Sequence, residues 1–193
     1  MDRAMLKTAA KEQIKGKIGI LFVISLLSGL IAGAVGTVPL VGTIASMLLT
    51  AAFSLAMIHI YMNLGYGRSP EVGDLFSQIG NILPAFCTQF LVGLFTFLWS
   101  LLLFVPGIIM GCAYSQAMYI LADDPSIGPM EAIRRSKEMM NGHKMEYFLL
   151  GLSFMGWAFL GVFTLGILYI WLIPYMNATM ANYYKSLKGE FIG

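Results

Sequence analysis

Charge is the scarcest property of this sequence. Its 193 residues include 12 Lys and Arg and 10 Asp and Glu, so 11% are ionised, against about 25% in soluble domains. A composition this poor in charge excludes a nucleic-acid binder, and no nucleic acid is expected as a partner. Cysteine is almost missing. Cys87 and Cys112 are too few for a disulfide scaffold and stand at no metal-ligand spacing, so they read as small apolar residues. Catalytic signatures are missing too: there is no GxSxG, HExxH, phosphate-cradling glycine loop, paired catalytic carboxylates or haem-ligand pair. No enzyme, no cofactor and no metal site is expected. Asp123-Asp124-Pro125 reads as a helix stop rather than a metal motif.

Apolar sequence takes the place of charge. Hydrophobic residues make up 58% of the chain and the mean hydropathy is +0.77. The charges fall in four clusters, 2–17, 68–74, 123–146 and 185–190, separated by uncharged blocks at 18–67, 75–122 and 147–184. In water, such blocks would leave large exposed apolar patches, so the solvent is expected to be lipid. One crossing of the hydrocarbon core takes about 20 residues, and each block has room for two. Breaks stand at Thr37-Val38-Pro39-Leu40-Val41-Gly42, at Pro106-Gly107 and at Thr164-Leu165-Gly166, because proline lacks a donor and glycine a side chain. The expected spans are 18–38, 42–65, 82–105, 107–122, 146–165 and 167–184. The fold class is therefore all-α: a polytopic membrane protein with six transmembrane helices folded as three hairpins. Continuous rather than alternating apolar runs exclude a β-barrel. Ala32-Gly33-Ala34 resembles a signal cleavage site, but the apolar run continues into a second span, so the first helix is expected to be a retained anchor.

Every Lys and Arg lies on the side shared by both termini and the two longer loops. By the positive-inside rule, the amino and carboxy termini are expected in the cytoplasm. Lys185, at the end of the last span, is expected to snorkel to the interface. A short charged segment precedes each hairpin, with glycine at its end: Gly16, Gly80 and Gly142. The chain is read as one membrane domain, 1–193, holding three pseudo-repeats at about 1–67, 68–122 and 123–193. Each repeat has a cytoplasmic amphipathic helix, a cap, a span, a turn and a span. In the first of these helices Arg3, Lys7, Lys11 and Lys15 recur every four residues beside Leu6, Ala10 and Ile14. Such a helix suits an anionic leaflet, or equally a solvated extension of the first span. The third runs over Pro129–Met140 and offers Arg134 and Arg135 as lipid-phosphate contacts, although paired surface ions are the commoner outcome. Membrane lipids are the expected partners, with a protein partner or a homo-oligomer as further candidates.

No Asp, Glu, Lys or Arg lies deep in any span, which argues against a proton pump and against most carboxylate-coupled ion carriers. Polar residues do occur, mainly in the second helix of each hairpin: His59 and Asn63; Tyr114, Ser115, Gln116 and Tyr119; Asn177, Thr179 and Asn182. Interhelical hydrogen bonding accounts for them most simply. The alternative is a shared polar cavity in the cytoplasmic half built from His59, Asn63, Tyr114, Gln116, Tyr119, Asn177 and Asn182. A lipid-headgroup enzyme would have to draw on Asp123, Asp124, Arg134 and His143, which match no known reaction template.

The second half carries a recognisable set of motifs. Val105-Pro106-Gly107-Ile108 is followed by Tyr114-Ser115-Gln116-Ala117-Met118-Tyr119 and Ala122-Asp123-Asp124-Pro125. Then come Glu131-Ala132-Ile133, Arg135-Ser136, Met139-Met140-Asn141-Gly142-His143-Lys144, Phe154-Met155-Gly156-Trp157 and Pro174-Tyr175. This resembles the bacterial integral-membrane family called domain of unknown function 975, and more loosely the membrane domain attached to some glycerophosphodiester phosphodiesterases. The resemblance implies a multi-pass protein of the bacterial plasma membrane and supplies no catalytic residue. Two functions follow as expectations. The first is a non-enzymatic bundle acting through lipids or partner proteins in envelope maintenance, stress or immunity. The second is a small-solute transporter or pore.

Overall fold

The computed structural model describes residues 3–39, 41–102, 104–164 and 166–190. Asp2 and the turn residues Leu40 and Leu165 lie outside the described residues. Nine α-helices are found among them: α1 (Arg3–Ile14), α2 (Ile18–Gly36), α3 (Val41–Leu64), α4 (Ile82–Leu102), α5 (Phe104–Tyr114), α6 (Ala117–Asp123), α7 (Pro129–Met139), α8 (Lys144–Phe163) and α9 (Tyr169–Lys188). Two short 3-10 turns, Val72–Phe76 and Ile79–Asn81, precede α4, and the described residues contain no strand. Among the described residues, five stretches are long and apolar enough to cross a membrane: Ile18–Gly36, Val41–Leu64, Val72–Leu101, Val105–Asp123 and Lys144–Phe163. α9 is the exception. Its buried face carries Thr179, Asn182 and Lys185 alongside Leu172, Ala178 and Ala181.

The break between α4 and α5 falls earlier than the sequence suggests. α5 begins at Phe104, so Pro106 falls inside its first turn rather than at the turn itself. A proline is tolerated there because the first N–H groups of a helix have no intrahelical acceptor. Gly107 serves a packing role: a Cβ on it would stand 2.9 Å from the Ser100 Cα, so the missing side chain lets α5 lie against α4. The expected fourth span is also interrupted, α5 stopping at Tyr114 and α6 resuming at Ala117. Gly16 and Gly142 are left-handed (φ 76° and 82°) and end α1 and α7 as expected. Gly80 is not; it lies within the second 3-10 turn.

α1 does not present its apolar stripe to a leaflet. Leu6, Ala10 and Ile14 are at most 1% exposed, and the helix packs along α9. Spacing of four places all three on one face, and α9 offers that face a groove plus hydrogen bonds. The Asn182 amide donates to Gln13 Oε1 at 3.1 Å and to the Leu6 carbonyl at 3.5 Å. α3 and α9 form the centre of the bundle, with Phe53, Leu55, Ile60 and Leu64 of one and Leu172, Ala178, Ala181 and Tyr184 of the other all buried. α2, α4, α6 and α8 surround them.

Candidate functional site: a hydroxyl-lined cavity and a buried lysine

α2 and α3 pack together over most of their length and then part enough to leave a cavity of about 440 Å3, closed behind by α6 and α9. Its polar lining is Ser25 and Ser28 from α2, Thr50, Ser54 and Tyr61 from α3, Tyr119 from α6 and Asn177 from α9. No charged residue lines it. Hydroxyls survive in apolar helices by returning their proton to the preceding turn. Ser25 Oγ donates to the Leu21 carbonyl, Ser28 Oγ to that of Ser25 and Thr50 Oγ1 to that of Ser46, at 2.7–2.8 Å. What they turn toward the cavity is therefore acceptor lone pairs. Tyr61 supplies the complement. Its side chain is buried, and its hydroxyl has the Asn177 amide as polar neighbour but no formed hydrogen bond. Gly29 and Thr50, both exposed in mid-helix, mark the mouth on the outer flank of the bundle. A second depression of about 270 Å3 between α3 and α4 shares Thr50 and adds Ser46 and Gln89.

Of the residues expected to share one cavity, Tyr119 and Asn177 line this one. The others are engaged elsewhere. Asn63 Nδ2 and His59 Nδ1 are 3.2 Å apart, one turn from each other on α3. Tyr114 leans on the Phe95 ring at 6.1 Å. Gln116 is fully buried at the α5–α6 break, where its backbone N–H donates to Ser136 Oγ at 3.1 Å and Ser136 Oγ donates to the Ala113 carbonyl at 2.8 Å. Asn182 joins α9 to α1. The hydroxyls on α2 and α3 escaped the sequence reading because isolated Ser and Thr in apolar helices carry no pattern of their own.

The basic residues divide in a similar way. Arg3 and Lys15 are exposed. Lys7 and Lys11 lie over the Phe154 and Tyr175 rings, with Nζ at 4.4 and 5.7 Å from the centroids. Arg134 makes two hydrogen bonds of 2.8 Å to Glu131, and Arg135 makes a third. Together they hold the Glu131 carboxyl down to about 2, Arg134 first and Arg135 second. Asp123, Asp124, Arg134 and His143 do not converge. Asp123 binds Lys188 at 2.8 Å and Tyr184 at 3.2 Å, Asp124 binds Ser126, and His143 binds Glu146 at 3.0 Å.

Lys185 departs furthest from expectation. Instead of snorkelling it is 3% exposed, and its Nζ has no hydrogen-bond partner. The amine lies 3.2 Å from the centroid of the Tyr66 ring. A Cβ on Gly65 would meet it at 2.6 Å and the Asn182 Oδ1 at 3.3 Å, so glycine at 65 is what leaves room for it. Burial pushes the amine down to about 8, against the opposing pull of Glu190 and Asp123.

Residues 101–190 match the family model described as Protein of unknown function (DUF975). No curated protein and no solved structure matches the chain.

Proposed function

We propose that this chain, whose carboxy-terminal half belongs to the DUF975 family of proteins of unknown function, is a non-enzymatic six-span protein of the bacterial plasma membrane that binds a neutral, hydroxyl-bearing lipid. α9, ending its crossing at Tyr184, serves as the sixth span, and the three hairpins are α2–α3, α4 with α5–α6, and α8–α9. Both termini face the cytoplasm, where all Lys and Arg then lie. Such a protein acts on the envelope, in maintenance, stress or immunity, through the lipid it holds or a partner that reads its occupancy.

The observation carrying this reading is the cavity between α2 and α3. It is wide enough for a glycerol-sized group and open on the flank that meets lipid. It is lined by the acceptor oxygens of Ser25, Ser28 and Thr50 and by donors that include the unpartnered Tyr61 O–H, with no charged residue. A charged ligand would be buried there without a counter-ion, whereas a neutral hydroxyl group is satisfied from both directions. The purified chain in detergent is titrated with diacylglycerol while its thermal unfolding is followed. A saturable rise in midpoint is expected, and Tyr61→Phe is expected to weaken binding roughly fivefold, the value of one hydrogen bond at about 1 kcal/mol. An unchanged midpoint in the wild type overturns the reading. A second reading, a path for small neutral solutes, draws on the adjoining depression at Ser46, Thr50 and Gln89. Glycerol flux into proteoliposomes, abolished by Thr50→Leu, would favour it instead.

A further inference from the structure

A different part of the surface joins charge to an apolar groove. The end of α7 and the start of α8 form a pocket of about 390 Å3 lined by Arg134, Lys137, Glu138, Asn141 and Lys144. Beside it, α5 and α8 flank a groove of about 490 Å3 lined by Val105, Ile108, Ile109, Cys112, Met145 and Phe148, with Lys144 as its one charged residue. Lys144 therefore stands in both, at the junction of a basic pocket and an aliphatic slot.

The pocket holds three cations against one carboxylate. Arg134 is ion-paired with Glu131 and Glu138. Lys137 and Lys144 form no ion pair among the described residues, so two ammonium groups are left facing an open pocket. Ordered water or a small anion could occupy the basic part, but neither has reason to fill an aliphatic slot. The order of chemistry along the surface, cation and then hydrocarbon, is that of a phospholipid read from phosphate to acyl chain. A zwitterionic lipid would bring its own ammonium toward the two lysines; an anionic one would not.

We propose that Lys137 and Lys144 bind the phosphate of an anionic glycerophospholipid whose acyl chain lies in the α5–α8 groove. The inference rests on the chain spanning a membrane, but not on the cavity between α2 and α3. It moves the lipid contact from the expected Arg134 and Arg135, which are paired with acids, to the two lysines that are not.

The full chain is purified in an uncharged detergent and titrated with phosphatidylglycerol, phosphatidylcholine or inorganic phosphate. Bound lipid is read by native mass spectrometry and protection by thermal unfolding. Phosphatidylglycerol is expected to bind saturably and in preference to phosphatidylcholine, with inorganic phosphate giving no protection. Lys137→Ala and Lys144→Ala are each expected to weaken phosphatidylglycerol binding roughly fivefold, and the double variant about thirty-fold, at about 1 kcal/mol per basic group. Ile109→Trp, which leaves the charges in place and fills the groove, is expected to weaken it as well. Equal binding of the two lipids by the wild type, an undiminished preference in the double variant, or protection by phosphate alone with Ile109→Trp silent would each overturn the proposal. Should the double variant fail to fold, the wild type still decides, because its preference for phosphatidylglycerol must fall as salt is raised. Diacylglycerol protection is measured on the same samples. If it persists while phosphatidylglycerol preference is absent, only this second site fails.

Discussion

α9 and α4 are almost equal in length, 20 and 21 residues, and are built on opposite plans. α9 carries Asn177, Thr179, Asn182 and Lys185 and buries ten of its residues. α4 carries Leu83, Phe90, Leu94, Phe97, Leu98 and Trp99 on its exposed faces and, among its residues of described burial, buries only Ala85 and Thr88. In water the assignment would be reversed. Lipid tails are as apolar as leucine, so hydrophobicity gives a helix no reason to leave them. What brings a helix inside is close packing through small residues and hydrogen bonds to its neighbours. α9 has both: Ala178 and Ala181 are fully buried, and Asn182 reaches α1.

The sharpest way to break this comparison is to change side-chain size on each helix. Ala181→Leu forces extra methyl groups into a closed interface and is expected to destabilise the fold by about 1–3 kcal/mol. Gly93→Leu on α4 adds a side chain where no atom lies within 4 Å of the new Cβ, and is expected to leave stability unchanged. Unfolding in mixed micelles of a mild detergent and dodecyl sulfate compares the two directly. Equal losses would mean that α4 is also an interior helix, covered by something outside this chain.

The same contrast explains what could be read from the sequence. The long apolar helices α2, α3 and α8 are legible because their length matches what a bilayer crossing needs, and α7 because Pro129 and its ion-pair spacing mark both its start and its solvent face. The placement of α1 was not legible: a stripe of Leu6, Ala10 and Ile14 fits a leaflet and a protein groove equally well. Nor was the cavity. Tyr119 and Asn177 stood out as polar, but the hydroxyls that meet them come from α2 and α3, and only the packing of four helices brings them together. Lys185 was misread for the same reason. Its position at a span end suggests snorkelling, while the gap that encloses it is made by Gly65 and Tyr66 of a distant segment.

Lys185 also tests how far an interior helix of this kind tolerates charge. Its folded amine titrates near 8, below the ordinary 10.5. Between those values the unfolded chain binds more protons than the folded one, so stability rises with pH across that window. Below about pH 8 the folded state carries the buried charge at full cost. Lys185→Met keeps the stem and removes the charge. The variant is expected to be more stable than the wild type at pH 7, with the gap closing as pH rises through 8 toward 10.5. Chemical unfolding of both proteins across that range checks the sign. A variant less stable at pH 7 would show that the contact with Tyr66 outweighs the loss of hydration.

The smallest effect is expected where ions are most numerous. On α7, Glu131 accepts from Arg134 and Arg135, which keep its carboxyl near 2. A depressed carboxylate contributes stability above its ordinary value of 4.5 that fades as pH falls through 2. These groups are solvated, however, and water and salt screen exposed pairs until little net gain remains. Glu131→Gln is therefore expected to shift the unfolding midpoint at pH 7 less than either α9 substitution, and less again in high salt. A shift comparable to that of Lys185→Met would mean that the ionic face of α7 is held against a surface that excludes water. The division between a polar interior and solvated charged helices would then have to be redrawn at α7.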